Sequence, residues 1–241
     1  MKDVSLRTFK KRRNAVVAIA TLLMVVISLN LYQSTPEITQ PNIDVISNTN
    51  TRTELAKTVL ERLEVKGRAP KTGYSRGEYG DGWGIVGGCD MRNIMLARGM
   101  TEVELADDKC VVLSGILNDP YTGNTIDFKR GKETSGDVQI DHVVALSDSW
   151  QKGAQELSPN TRLRFANDPL NLLAVDGPTN QKKSDSDAAS WLPSNKSFRC
   201  QYVARQIAVK DKYRLWLTDS EKSAIVRVLN GCGDQVVPLS S

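Results

Sequence analysis

The sequence predicts a mixed α+β fold, a single domain over residues 53–241 carried behind an N-terminal export or anchor segment. Three observations predict it. A basic stretch followed by an apolar run opens the chain. Short alternating apolar segments, separated by turn residues, recur between residues 110 and 175. Stretches with apolar residues three and four apart flank them on both sides. A hydrophobic content of 40% and a charged content of 25% fit a globular chain rather than a fibrous or disordered one. At 241 residues there is enough chain for one ordinary core.

Residues 1–14 hold six basic side chains (Lys2, Arg7, Lys10, Lys11, Arg12, Arg13) against Asp3. They supply five of the formal charge of +4, so everything after Asn14 nets −1. The domain is nearly neutral, and any phosphate binding must come from a local cluster. Residues 15–31 are apolar except for Thr21, Ser28 and Asn30. Basic residues before such a run mark an export signal, and that order sends the rest of the chain outward. The run lies between a signal-peptide core and a membrane span, which needs about 20 apolar residues. Residues 1–35 are therefore expected to be a signal peptide or a retained anchor, and residues 36–52, rich in Pro, Asn, Thr and Ser, a flexible tether.

Within the domain, residues 53–65 place Leu55, Val59, Leu60 and Leu63 on one helical face. Residues 66–88, rich in glycine with Tyr74, Tyr79 and Trp83, read as an ordered loop, and 89–100 as a short helix. Residues 110–117 and 125–130 read as two strands joined across the turn NDPYTGN. Residues 138–144 alternate into a third strand, 145–156 read as a helix, and Ser158 with Pro159 opens another. Residues 170–175 form a short apolar strand. Helices are expected at 187–192 and 196–215, with a last one opened by a Thr218–Glu221 capping box and ending near Gly231.

Cys89, Cys110, Cys200 and Cys232 are an even count in an exported chain and read as disulfides. Of the three pairings, Cys89–Cys110 and Cys200–Cys232 are favoured because each joins neighbours along the chain; four buried thiols are the alternative. No C-x-x-C pair occurs, so no structural zinc is expected.

The chain has one histidine, and a lone histidine is more often structural than catalytic. Its surroundings decide otherwise. His142 follows Asp141 in QIDHVVAL, and NDPLNLLAVDGPTNQKKSD brings Asn171 and, nine residues later, Asn180. With CDMRN, DPYTG, IDHVVALSDSW and FRCQYVARQ, this chain resembles the ββα-metal core of HNH endonucleases. It is most similar to the branch formed by the C-terminal nuclease domain of GmrSD-type restriction enzymes and its secreted bacterial relatives. The resemblance runs from about Tyr74 to Leu229, with the core motif at 138–190. It implies a ββα-metal core with added helices and a β-hairpin. It also implies His142 as general base, Asp141 and Asn180 as metal ligands, and Asn171 as the brace of the loop bearing His142. Many HNH proteins carry zinc-binding cysteines at the positions of Asp176 and Thr179, and here an insertion separates His142 from Asn171.

The chemistry suits those roles. An imidazole with pKa near about 6.5 is largely neutral at physiological pH and can accept a proton from water. Mg²⁺, with Mn²⁺ as a substitute, takes oxygen ligands and keeps several waters, so one carboxylate and one amide carbonyl suffice. The expected function is hydrolysis of DNA or RNA phosphodiesters with little sequence preference. The alternative is a non-catalytic envelope module that binds nucleic acid on a nuclease scaffold. The expected partners are a nucleic-acid substrate and, through the N-terminal segment only, a membrane; no protein partner is implied. Lys182 and Lys183, read at the start of a helix, and Arg92 are candidate substrate contacts, against a solvated pair and a surface salt bridge with Asp90. Arg162, Arg164, Arg199 and Arg205 are candidates for a basic patch. Trp150, Trp191 and Trp216 are read as core, and Asp185 and Asp187 as possible partners of the site.

Overall fold

The computed structural model describes residues 54–239. The export or anchor segment and the tether expected at 1–35 and 36–52 lie outside the described residues.

The elements in chain order are α1 (Ala56–Arg62), β1 (Ile85–Val86), β2 (Cys89–Asp90), α2 (Met91–Gly99), β3 (Met100–Leu105), β4 (Val112–Asn118), β5 (Thr125–Lys129) and β6 (Val138–His142). Then come α3 (Leu146–Trp150), α4 (Pro159–Ala166), β7 (Leu172–Asp176), α5 (Gly177–Lys183), α6 (Arg199–Tyr213) and α7 (Asp219–Leu229). The strands form three antiparallel sheets, β1–β2, β3–β4–β5 and β6–β7. The α+β fold expected from the sequence is what forms, and β6–β7–α5 is its ββα unit.

The β6–β7 hairpin positions the site and is wedged between two cores. Its register pairs His142 with Leu172 and Asp141 with Leu173. Side chains alternate across a strand, so Val138, Ile140, Leu172 and Ala174 pack with α2 and the three-stranded sheet. Leu173 and Val175 join the core built from α1, α6 and α7. A further cluster gathers Tyr79, Trp150, Phe165 and Tyr213 behind α3 and α4.

Several expectations change. The helix expected at 145–156 stops after Trp150, because Gly153 sits at φ 115° and only a 3₁₀ turn, Ala154–Glu156, follows. The helix expected at 187–192 is a single turn: Trp191 N reaches the Asp187 carbonyl, and Pro193 cannot continue it. The strand β3 was not expected. A bulge between Thr101 and Glu104 breaks its alternation, which hides it from a period-two reading. The capping box at α7 is half formed. Thr218 accepts from Glu221 N, but the buried Glu221 carboxylate turns inward to Lys152 and Lys210.

Cys89 is bonded to Cys110 and Cys200 to Cys232, so every described cysteine is oxidised and none is free as a thiolate. The second bond ties the start of α6 to the chain just beyond α7.

Candidate active site

β6 ends on Asp141 and His142, and α5 returns across the hairpin to face them. Asp176 caps α5 by accepting from Thr179 N at 2.8 Å. At the next residue, Gly177 N donates to Asp137 O at 2.8 Å, and a Cβ on Gly177 would lie 1.9 Å from the Gly136 carbonyl oxygen. Only glycine allows α5 to start this close to the strand. The turn after β4 holds the same joint. Asp119 accepts from Thr122 N and Oγ1 within its own turn, and from Asp176 N at 2.9 Å.

His142 is buried, and its Nε2 lies 2.9 Å from the Ala166 carbonyl. A carbonyl oxygen only accepts, so Nε2 carries the proton and Nδ1 keeps the free lone pair. Burial lowers the imidazole pKa to about 4, with the nearby Arg76 and Lys183 charges acting in the same direction and the Ala166 carbonyl opposing them. The ring is therefore a neutral acceptor at physiological pH. Trp83 stacks on it with centroids 5.8 Å apart and planes 7° from parallel.

Asn171 is fully buried and closes the loop after His142. Its Oδ1 accepts from Val144 N at 2.8 Å, its Nδ2 donates to Val144 O at 3.2 Å, and its carbonyl accepts from Val143 N at 2.8 Å. Gln206 of α6 adds a bond to the Val143 carbonyl at 3.1 Å. The loop is held from both sides, and the long insertion between His142 and Asn171 leaves this contact intact.

Asp141 is buried and bonded through both oxygens. Lys183 Nζ donates to Oδ1 at 2.9 Å and to the His142 carbonyl at 2.9 Å, and the Tyr121 hydroxyl donates to Oδ2. Burial raises the carboxyl pKa, opposed by Lys183 and Tyr121. Asn180 Nδ2 donates to Gln139 Oε1 at 3.0 Å, and its Oδ1 has no donor among the described residues. Asp141, His142 and Asn180 line one cavity of about 480 Å³ together with Arg92 and Ser147. His142 also lines a neighbouring cavity of about 350 Å³, walled by the 76–83 segment.

The two oxygen-bearing side chains at this cavity, Asp141 and Asn180, are of the kind a hard cation takes. Each Asp141 oxygen has one donor and keeps a second lone pair, and the Asn180 carbonyl oxygen is free. Among the described residues no group of three or more His, Cys, Asp or Glu side chains could hold a metal. A cation here would rely on one carboxylate, one amide and oxygens of water or phosphate.

The other candidates sort clearly. Arg92 reaches the site. It lines the Asp141 cavity with Nη2 donating to the Ser135 and Val138 carbonyls, while Asp90 caps α2 instead of pairing with it. Lys182 and Lys183 lie in the last turn of α5, not its first. Lys182 is exposed; Lys183 is fully buried, so it holds Asp141 and cannot contact a phosphate from outside. Arg162, Arg199 and Arg205 donate to protein carbonyls, whereas Arg164 is exposed and donates to Thr161 Oγ1; none of the four lines the Asp141 cavity. Trp150 and Trp216 are buried, and Trp191 packs at the core's edge. Asp185 accepts from Ser147 at the cavity rim, whereas Asp187 is buried on Lys152. Sequence reasoning missed Tyr121, Trp83, Arg76, Gln139 and Gln206. Tyr121 lies in the quoted DPYTG motif, which was the one signal that could have found it.

The family described as "GmrSD restriction endonucleases, C-terminal domain" has a sequence model that matches residues 94–228. The chain is also 38% identical over 199 residues to an "Uncharacterized secreted protein" of Arthroderma benhamiae, a match spanning 82% of this chain and 91% of that relative. A secreted relative and two disulfides are consistent with an extracellular setting. The matched segment contains β6, β7 and α5 with Asp141, His142, Asn171 and Asn180, and on that ground the chain belongs to the family of the C-terminal domain of GmrSD restriction endonucleases.

Proposed function

We propose that this protein is an exported, metal-dependent endonuclease of the HNH type that hydrolyses phosphodiester bonds of DNA with little sequence preference, RNA being the further substrate to test. The observation that carries the reading is the state of His142: a buried neutral imidazole with its proton fixed on Nε2, next to a carboxylate and a free amide oxygen in one cavity. His142 takes the proton of the attacking water at Nδ1. The Ala166 carbonyl fixes the tautomer, and Asn171 with Gln206 fixes the loop, so the ring needs no rearrangement as the proton moves. Asp141 and Asn180 would hold Mg²⁺ or Mn²⁺, which supplies Lewis-acid stabilisation of the phosphate and the leaving oxygen. Arg92 adds positive charge at the same cavity. The basic and apolar start of the chain is the export signal or anchor.

The test is cleavage of plasmid DNA and of RNA with Mg²⁺ or Mn²⁺, stopped by EDTA. His142→Ala should lose about a hundredfold or more, the usual value of a positioned general base. Retention of wild-type rates by that variant would overturn the mechanism. Tight binding without turnover by the wild type would favour the non-catalytic module.

A further inference from the structure

We propose that Arg76 binds the phosphate backbone of the substrate beside His142. This rests on the nucleic-acid reading above and assigns a substrate contact outside the segment that the family model matches, residues 94–228. Arg76 opens the 3₁₀ turn Arg76–Tyr79 and lines both cavities that meet at His142. Its guanidinium has no hydrogen bond and no carboxylate partner among the described residues. The other arginine lining these cavities is occupied: Arg92 donates to the Ser135 and Val138 carbonyls.

The turn that presents Arg76 is rigid for reasons that do not involve its side chain. The Tyr79 hydroxyl bonds the Leu146 carbonyl at 2.9 Å and Ser149 Oγ at 2.7 Å, inside the core behind α3. Arg162 Nε donates to the Glu78 carbonyl at 2.9 Å. A fixed backbone carrying an unpaired, exposed guanidinium needs neither a broken ion pair nor a rearranged loop to take an anion. The planar fork suits two phosphate oxygens, and Arg92 lines the Asp141 cavity together with Arg76, so a strand at His142 would meet two cations. Such a contact fixes position and carries no base information, which agrees with weak sequence preference.

The experiment compares full-length wild type, Arg76→Gln and Arg76→Lys. Equilibrium binding of a fluorescent oligonucleotide is measured in EDTA across a salt series, and cleavage is measured separately with Mg²⁺. Arg76→Gln should keep the wild-type melting temperature and weaken binding about tenfold, the effect of one lost charge-assisted contact. It should also flatten the log–log salt slope by about 0.9 on duplex or about 0.7 on single strands, whereas Arg76→Lys should restore most of the slope. A structural role would not change the slope. Equal affinity and equal slope in wild type and Arg76→Gln would overturn the proposal, as would a wild type that binds no nucleic acid. A shifted slope without cleavage by any of the proteins would support Arg76 and defeat the endonuclease reading alone.

Discussion

Replacing Lys183 by methionine tests how the site is held together. The lysine is fully buried, and among the described residues it is the one cation hydrogen-bonded to Asp141. Methionine keeps most of its length and removes the charge and the donors. Asp141 would then keep only Tyr121, and the His142 carbonyl would lose the Lys183 donor. Removing one partner of a buried ion pair costs about 3–5 kcal/mol because the other charge is left uncompensated. Extra apolar burial of the thioether returns less than about 1 kcal/mol. The expected loss is therefore about 3 kcal/mol, a large part of the roughly 5–15 kcal/mol that holds an ordinary domain folded.

Urea denaturation followed by tryptophan fluorescence measures it, with Asp141→Asn as the second arm of a double-mutant cycle. The double variant sets a neutral amide against a neutral thioether, so the coupling should reach about 2 kcal/mol. The pH dependence gives a second readout. Burial already raises the Asp141 carboxyl pKa, and losing Lys183 raises it further. A carboxyl raised in the folded state favours folding most below its unfolded pKa, and that advantage is lost as pH rises through the folded value. The deficit of Lys183→Met should thus be smaller near about pH 5 than near about pH 8. A single-variant cost below about 1 kcal/mol, with coupling below about 0.5 kcal/mol, would show that the ammonium does not hold Asp141.

Two further outcomes follow from the same geometry. His142 has its pKa lowered to about 4, so its neutral form favours the folded state above the ordinary imidazole value, and that stability is lost as pH falls toward about 4. Cleavage should accordingly show no inflection near about pH 6.5, and a clear loss of rate there would contradict the buried, neutral imidazole. Gly177→Ala would place a methyl group 1.9 Å from the Gly136 carbonyl oxygen and force α5 away from β6. It should cost more than about 2 kcal/mol in urea and weaken Mn²⁺ binding measured by titration calorimetry; a stability and affinity equal to wild type would show that the close approach is not needed.

The sequence made the strands of the candidate site legible because their signals are local. β6 and β7 are short apolar segments bounded by turns, and Asp141, His142, Asn171 and Asn180 sit in or beside them at recognisable spacing. What it hid depends on tertiary packing. Lys183 reads as one of two basic residues in a polar run, and nothing local says that one faces water while its neighbour is buried on a carboxylate. Tyr121 reads as a turn residue, yet its hydroxyl reaches Asp141 twenty positions away in the chain. Arg76 lies in a glycine-rich loop with no periodicity at all. Lys152, Lys210, Asp148, Asp187 and Glu221 form a buried ionic cluster between α3, α6 and α7. Charged residues are rarely buried, and only the pairing of each one allows burial here.

The joint between β7 and α5 also determines what removing metal should do. Asp176 and Thr179, read from the sequence as standing where HNH relatives carry zinc-binding cysteines, form a helix cap. Asp119 bonds the Asp176 amide, Gly177 packs against the Gly136 carbonyl, and Lys183 ties the far end of α5 to Asp141. Each tie is made by the protein itself, so the helix should keep its place without a chelated ion. Chelators unfold domains whose ligands are their core. Here EDTA should stop cleavage while shifting the melting temperature by no more than about 2 °C, the small linkage expected when a weakly bound ion leaves a preformed site. Calorimetric scans with and without chelator, beside a cleavage assay on the same samples, separate the two effects. A collapse of the folded transition in EDTA would mean that a metal, not the cap and the Lys183 ammonium, holds the ββα unit closed.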